Sequence, residues 1–260
     1  MRFNAMKKNN SVEKIQGIVR YHRNIKGEGL KYARTIIVIL PSSYTQATHK
    51  RYPVLYMHDG QNIADPKTAF KARDWRIDET VAALSAGKKI SEIIIVGIFH
   101  STDRTEEYSD SERGRAYAKF LVEKIKLLVD STYRTKPQRK HTAILGSSMG
   151  ALVSMLIVWW YPKKFSMVGC MSPAFWYNDE KILRVLHEYT GTKKNIKIYL
   201  DCGGREKELI SGYQSMVVLL SRMGYKQGKD LEYHFEKNGV HNERAWAKRA
   251  WRPLLFMFGK

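Results

Sequence analysis

Seven short runs along this chain are apolar almost without interruption, and that pattern constrains its fold more than any other. They are TIIVILP (35–41), YPVLYMHDG (52–60), SEIIIVGIFH (91–100), HTAILG (141–146), FSMVGCMS (165–172), IKIYLD (196–201) and LEYHFEKNG (231–239). A strand with one wet face alternates apolar and polar residues; most of these runs leave no polar face, so both faces of their sheet must be covered. Helical periodicity fills the gaps between them. Tyr117, Leu121, Ile125 and Leu128 recur at three- and four-residue spacings within 112–133, and Leu209, Tyr213, Val217 and Leu220 do so within 207–225. Strands alternating with helices predict an α/β fold with a mostly parallel central sheet and helices on both faces.

The N-terminal part reads differently. GIVRYHRNIKGEGLKYARTIIVIL holds two alternating runs around a glycine-containing turn with no helix between them, which predicts an antiparallel hairpin on the edge of the sheet. No repeat, low-complexity tract or Pro/Gly linker divides the chain, and 260 residues suffice for one large core. The expected organisation is an N-terminal extension over 1–16 and a single catalytic domain over 17–260.

The chain carries 45 Lys and Arg against 25 Asp and Glu, a formal charge of +20, which draws a protein toward anions. The basic residues are dispersed, as in KKNN and TGTKKNIK, and no zinc-finger, homeodomain or RNP signature accompanies them, so specific nucleic-acid binding is not expected. Cys170 and Cys202 lie in or just after apolar runs and read as reduced core thiols, not as a disulfide framework or a zinc site. The first residues lack the apolar stretch of a signal peptide, and no run approaches the roughly eighteen apolar residues of a membrane span. These features predict a cytoplasmic protein with no membrane span.

The stretch HTAILGSSMGALVSML (141–156) carries the chemistry. TAIL reads as a buried strand and ALVSMLIVWW as an apolar helix, so Gly146-Ser147-Ser148-Met149-Gly150 must join them in a very sharp turn. That is the G-x-S-x-G elbow, in which glycines make room for a strained turn that lifts a serine hydroxyl above the sheet. Ser148 is the candidate nucleophile, and the helix after it offers backbone amides to a developing oxyanion.

A serine hydroxyl needs a base to take its proton and an acid to orient that base. In elbow-bearing folds they follow the serine in the order acid, then histidine. His22, His49, His58, His100 and His141 precede Ser148; His187 sits in a helical pattern and His234 in mid-strand. His241 remains, in KNGVHNERAW, with a glycine turn before it and a helical pattern after it. For the acid, IKIYLDCGGREKE offers Asp201 at the strand end and Glu206 beyond two glycines, and the residues alone favour Glu206 only slightly.

Several long stretches together resemble the Putative esterase family of α/β-hydrolases, which includes esterase D-like enzymes, carbohydrate-acetyl and feruloyl esterases, enterochelin esterases and mycolyltransferases. They are RYPVLYMHDGQN, DWRIDETVAAL, IIIVGIFHSTDRTEEYS, DSTYRTKPQRKHTAILGSSMGALVSM, YPKKFSMVGCMSPAFWYN and GVHNERAW, and they cover nearly all of the chain from residue 17 onward. The family's G-x-x-D/E loop matches Gly203-Gly204-Arg205-Glu206, which implies Glu206 as the acid, with Glu where many relatives carry Asp. Ala151 stands where a glycine is common. Met149, directly after the nucleophile, and by resemblance Gln61 in HDGQN would supply the oxyanion amides. Trp176 and Tyr177 in SPAFWYND either wall the substrate pocket or pack, and Trp159 and Trp160, far down the elbow helix, are core or interface.

The expectation is a serine esterase acting on short-acyl, aryl or carbohydrate esters through Ser148, Glu206 and His241 and an acyl-enzyme, with no metal or organic cofactor. Its partner is a small-molecule or carbohydrate ester. Acyl transfer to an alcohol through the same residues, or a non-catalytic basic binding module on a hydrolase scaffold, are the alternatives.

Overall fold

The computed structural model describes residues 15–260, so the expected extension over 1–16 lies, apart from its last two residues, outside the described residues. The central sheet has eight strands: β1 (Ile18–Ile25), β2 (Arg34–Leu40), β3 (Val54–His58), β4 (Ile94–Ile98), β5 (Thr142–Ser148), β6 (Met167–Pro173), β7 (Lys197–Gly203) and β8 (Leu231–Glu236). Their order across the sheet is β1, β2, β4, β3, β5, β6, β7, β8. The hairpin β1/β2 is antiparallel and joins β4 antiparallel, while every pairing from β4 through β8 is parallel. All seven apolar runs form strands, and the N-terminal hairpin occupies the edge expected for it.

Nine helices surround the sheet among the described residues: α1 (Ile77–Ala86), α2 (Arg104–Glu107), α3 (Glu112–Phe120), α4 (Lys126–Thr132), α5 (Met149–Trp160), α6 (Tyr177–His187), α7 (Lys207–Arg222), α8 (Glu243–Arg249) and α9 (Trp251–Phe258). Alternate strand residues divide between two cores, as a two-residue period requires. Ile36, Val38, Tyr56, Val96, Ile144, Val168 and Leu200 pack with side chains of α3, α4, α5, α6 and α7. Ile37, Ile39, Leu55, Met57, Ile95, Leu145 and Tyr199 pack with α1, α8 and α9. This two-sided burial is why the runs carry so few polar residues.

One expected helix differs in form. The region 112–133 is α3 and α4 joined by a π-helical turn, Leu121–Ile125. Tyr117, Leu121 and Ile125 stand four apart twice, a spacing that 3.6-residue turns rotate away from the sheet; a single wider turn keeps them on it. All three are fully buried.

Cys170 and Cys202 are free and buried. Trp159 is core, whereas Trp160 is half-buried with the Arg115 guanidinium 3.6 Å over its ring. No helix among the described residues is long and apolar enough to cross a membrane. Because β3, β5, β6, β7 and β8 run in one direction, the loops at their C-terminal ends share one edge of the sheet, where ligands bind in open α/β sheets. Those loops carry Gln61, Trp176, Glu206 and His241, beside Ser148 at the end of β5 and Met149 at the start of α5.

Candidate active site

The elbow is tighter than the sequence suggests. β5 does not end at Gly146 but continues to Ser148, and α5 starts at the next residue, so the reversal happens at Ser148 itself. Its backbone lies at φ 54° and ψ −126°, a conformation that costs a residue with a side chain about 1–3 kcal/mol. Close packing enforces it: a Cβ on Gly146 would stand 2.3 Å from the Gly150 carbonyl oxygen, and one on Gly150 would meet Asp59 Oδ2 at 3.2 Å. The sharp reversal puts Ser148 against the unpaired amides of the first turn of α5, of which Met149 is the first.

The other predicted amide, Gln61, sits in a 3₁₀ turn, Gly60–Asn62, that follows β3. Its side-chain Oε1 accepts from the His100 amide at 3.3 Å and its carbonyl accepts from Thr68 Oγ1 at 2.6 Å, which pins the loop on both sides. Asp59 begins the turn in the left-handed region (φ 55°), and its carboxylate is gripped by Arg104, Nε to Oδ1 at 2.7 Å and Nη2 to Oδ2 at 2.8 Å. The Asp59 amide donates to the Tyr108 hydroxyl at 3.2 Å. Beneath it His58 is fully enclosed, which depresses its imidazole to about 3 and leaves it neutral throughout the ordinary pH range.

His241 and Glu206 meet directly, with His241 Nδ1 donating to Glu206 Oε1 at 2.9 Å. Glu206 is buried, and burial alone would raise its carboxyl; hydrogen bonds from His241, the Gly203 amide and Ser172 outweigh that and hold it below its ordinary value. An ionised carboxylate on Nδ1–H leaves Nε2 of His241 as the proton acceptor. The imidazole packs edge-on against Trp246, ring centres 5.0 Å apart.

Asp201 has a different set of partners. It accepts from Arg249 Nε at 3.0 Å, from the Ser172 amide at 3.1 Å and from Tyr199 at 3.2 Å, and both it and Arg249 are buried. The structure therefore joins Glu206, not Asp201, to the histidine. The residue between them is Ser172, held at φ 44°. Its hydroxyl donates to Glu206 Oε2 at 2.8 Å and accepts from Trp246 Nε1 at 2.9 Å and Arg249 Nη2 at 2.6 Å.

Ser148, Glu206, His241 and Trp176 line one cleft of about 450 Å³ together with Arg205 and Lys207. The Ser148 hydroxyl makes no hydrogen bond to another side chain among the described residues, and a catalytic serine–histidine bond commonly tightens only once substrate is bound. Trp176 stands half-exposed at the cleft, edge-on to Tyr177 at 5.9 Å. No group of His, Cys, Asp and Glu among the described residues is arranged to hold a metal.

Sequence reasoning missed Ser172, Trp246, Arg249 and the Asp59–Arg104 clamp. Asp59, Arg104 and Ser172 lie inside the stretches that carry the family resemblance, but nothing in their spacing reveals a role. Arg249, inside AKRAWR, looks like one more solvated cation.

The sheet order, the elbow and the converging loops are those of an α/β-hydrolase. A ferulic acid esterase superposes with a TM-score of 0.75 at 21% identity, covering 94% of this chain and 99% of that one. The enterobactin esterase FES from Shigella flexneri, solved in the presence of 2,3-di-hydroxy-N-benzoyl-serine, gives 0.77 at 16% identity over 94% of this chain but 60% of its own. Uncharacterized protein YbbA of Bacillus subtilis (strain 168) is 21% identical over 248 residues, 87% of this chain and 93% of the relative. The model of the Putative esterase family matches residues 27–256, and the chain belongs to that family: it is a carboxylic ester hydrolase of the serine type.

Proposed function

We propose that Ser148, His241 and Glu206 form the catalytic triad of a carboxylesterase that works through an acyl-enzyme. Ser148 Oγ attacks the ester carbonyl as its proton passes to His241 Nε2. The tetrahedral oxyanion is held by the amides of Met149 and Gln61. As the C–O bond to the alcohol breaks, the imidazolium returns the proton to the leaving oxygen. Water, deprotonated by the same nitrogen, then attacks the acyl-serine and frees the carboxylic acid. Glu206 keeps the imidazole in the required tautomer and stabilises its charged form, and the Asp59–Arg104 clamp fixes the height of the Gln61 loop.

The observation that carries this reading is that a strained Ser148 lines one cleft with a Glu206-bound His241. For substrates we favour short-acyl, aryl and carbohydrate esters. The half-exposed Trp176 offers a flat wall to a planar acyl or sugar ring, and the relatives include a ferulic acid esterase and an enterobactin esterase. The test is turnover of p-nitrophenyl esters of increasing chain length beside feruloyl and acetylated-sugar esters. Ser148→Ala is expected to keep the fold and lower hydrolysis by roughly four to six orders of magnitude. A variant retaining a tenth of the wild-type rate overturns the mechanism.

A further inference from the structure

A second cavity lies behind the loop that carries His241. It holds about 590 Å³, within the range of small-ligand pockets, and shares no lining residue with the Ser148 cleft. Five cations line it, Arg73, Arg244, Lys248, Arg249 and Arg252, against one carboxylate, Glu236. Arg249 is taken up by Asp201 and Ser172, and Glu236 is hydrogen-bonded to His234 at 3.3 Å.

The other four cations make no ion pair among the described residues. That sets them apart from Arg104, Arg113, Arg115 and Lys193, each of which faces an aspartate. Like charges gathered in one concavity repel one another and raise the local concentration of anions. A single carboxylate would leave most of this charge unanswered, whereas a phosphate group presents several oxygens to guanidinium forks. Trp251, 40% exposed with the Arg252 guanidinium 4.5 Å over its ring, forms an aromatic wall.

We infer that this cavity is a binding site for a small phosphorylated ligand, with Arg73, Arg244, Lys248 and Arg252 as the anion contacts. The site is separate from the catalytic cleft, although Val240 and Asn242 of its lining flank His241 in the chain.

The experiment is isothermal titration calorimetry of the full chain with inorganic pyrophosphate and with AMP at physiological salt. Saturable binding at one site per chain is expected. The R244Q/K248Q double variant, which removes two exposed charges, is expected to weaken it about tenfold, the order set by two partly screened ion contacts. K163Q/K164Q removes the same charge at the opposite edge of the sheet and is expected to leave the affinity unchanged. The inference is overturned if the two variants weaken binding equally, since general attraction by the net charge then explains it. Loss of binding through R205Q/K207Q instead would move the ligand to the catalytic cleft. Tighter binding of a single-stranded oligonucleotide than of pyrophosphate would make the ligand a nucleic acid, and absence of saturable binding would leave no site.

Discussion

Replacing each of the two candidate acids by its amide separates catalysis from stability. In Glu206→Gln the new side chain has one acceptor oxygen and one donor NH₂ group. The Oε2 position faces the Gly203 amide, which only donates. It also faces the Ser172 hydroxyl, whose proton points there because the oxygen already accepts from Trp246 and Arg249. The amide oxygen must take that position, so its NH₂ confronts His241 Nδ1. The imidazole then keeps its proton on Nε2 and cannot accept one from Ser148. The expected loss is about two to four orders of magnitude in kcat with little change in KM. In Asp201→Asn the imidazole is untouched, but Arg249, whose side chain is 3% exposed, loses its counter-charge. Stranding a buried cation costs about 3–5 kcal/mol. At about 2–4 °C per kcal/mol for a chain of this class, that lowers Tm by roughly 6–20 °C. Steady-state hydrolysis of p-nitrophenyl acetate well below either Tm, with thermal unfolding of each variant, measures both effects. If Asp201→Asn costs more kcat than Glu206→Gln at equal folded fraction, or if Glu206→Gln stays within tenfold of wild type, the assignment of the acid is wrong.

Two further outcomes follow from burial and backbone geometry. Asp78 in the first turn of α1 is buried, and desolvation lifts its carboxyl to about 6 from an ordinary value of 3.8. Folding therefore favours the protonated form; its stabilising effect is complete below the unfolded value and fades as pH rises from about 4 to 6. Asp78→Asn is expected to raise stability by about 1–3 kcal/mol at pH 7 and hardly at all at pH 4, read from denaturant midpoints at the two pH values. Gly146→Ala pushes a methyl into the Gly150 carbonyl, so it is expected to destabilise the elbow by more than about 2 kcal/mol and to lower kcat. Wild-type Tm and kcat in that variant would refute the contact.

What the sequence made legible divides by the range of the interaction. Strand runs and the edge hairpin are local patterns, and each stands where its residues place it; the elbow turns at Ser148 with β5 running two residues past Gly146, and the helical region over 112–133 is broken by a π-helical turn because two four-residue steps exceed ordinary helical spacing. The pairing of His241 with Glu206 links residues 35 positions apart. Chain order sets aside five of the eight histidines and local pattern two more, whereas between Asp201 and Glu206 the residues alone lean only slightly and the family resemblance is what points to Glu206. Ser172 and Arg249 lie 77 positions apart, and their bond depends on β6, β7 and α8 closing around a common centre. No periodicity records such a meeting, and a buried arginine has the same letter as a solvated one.

The loop that carries Gln61 meets β4 with main chain against main chain at Gly60 and Gly97. A Cβ on Gly60 would stand 2.5 Å from the Gly97 backbone carbon, and one on Gly97 would meet Ile63 at 2.5 Å and Gly60 Cα at 3.0 Å. Main chain sits on main chain there, with Ile63 packed beside it and Asp59 held by Arg104, so a side chain added at either glycine displaces the loop instead of adjusting its elevation by small steps. Diversification of substrate range, natural or by directed evolution, is thereby channelled to the far bank of the cleft. Trp176, Arg205 and Lys207 are exposed side chains lining that bank, and libraries for altering specificity belong at those three positions and away from the glycine pair.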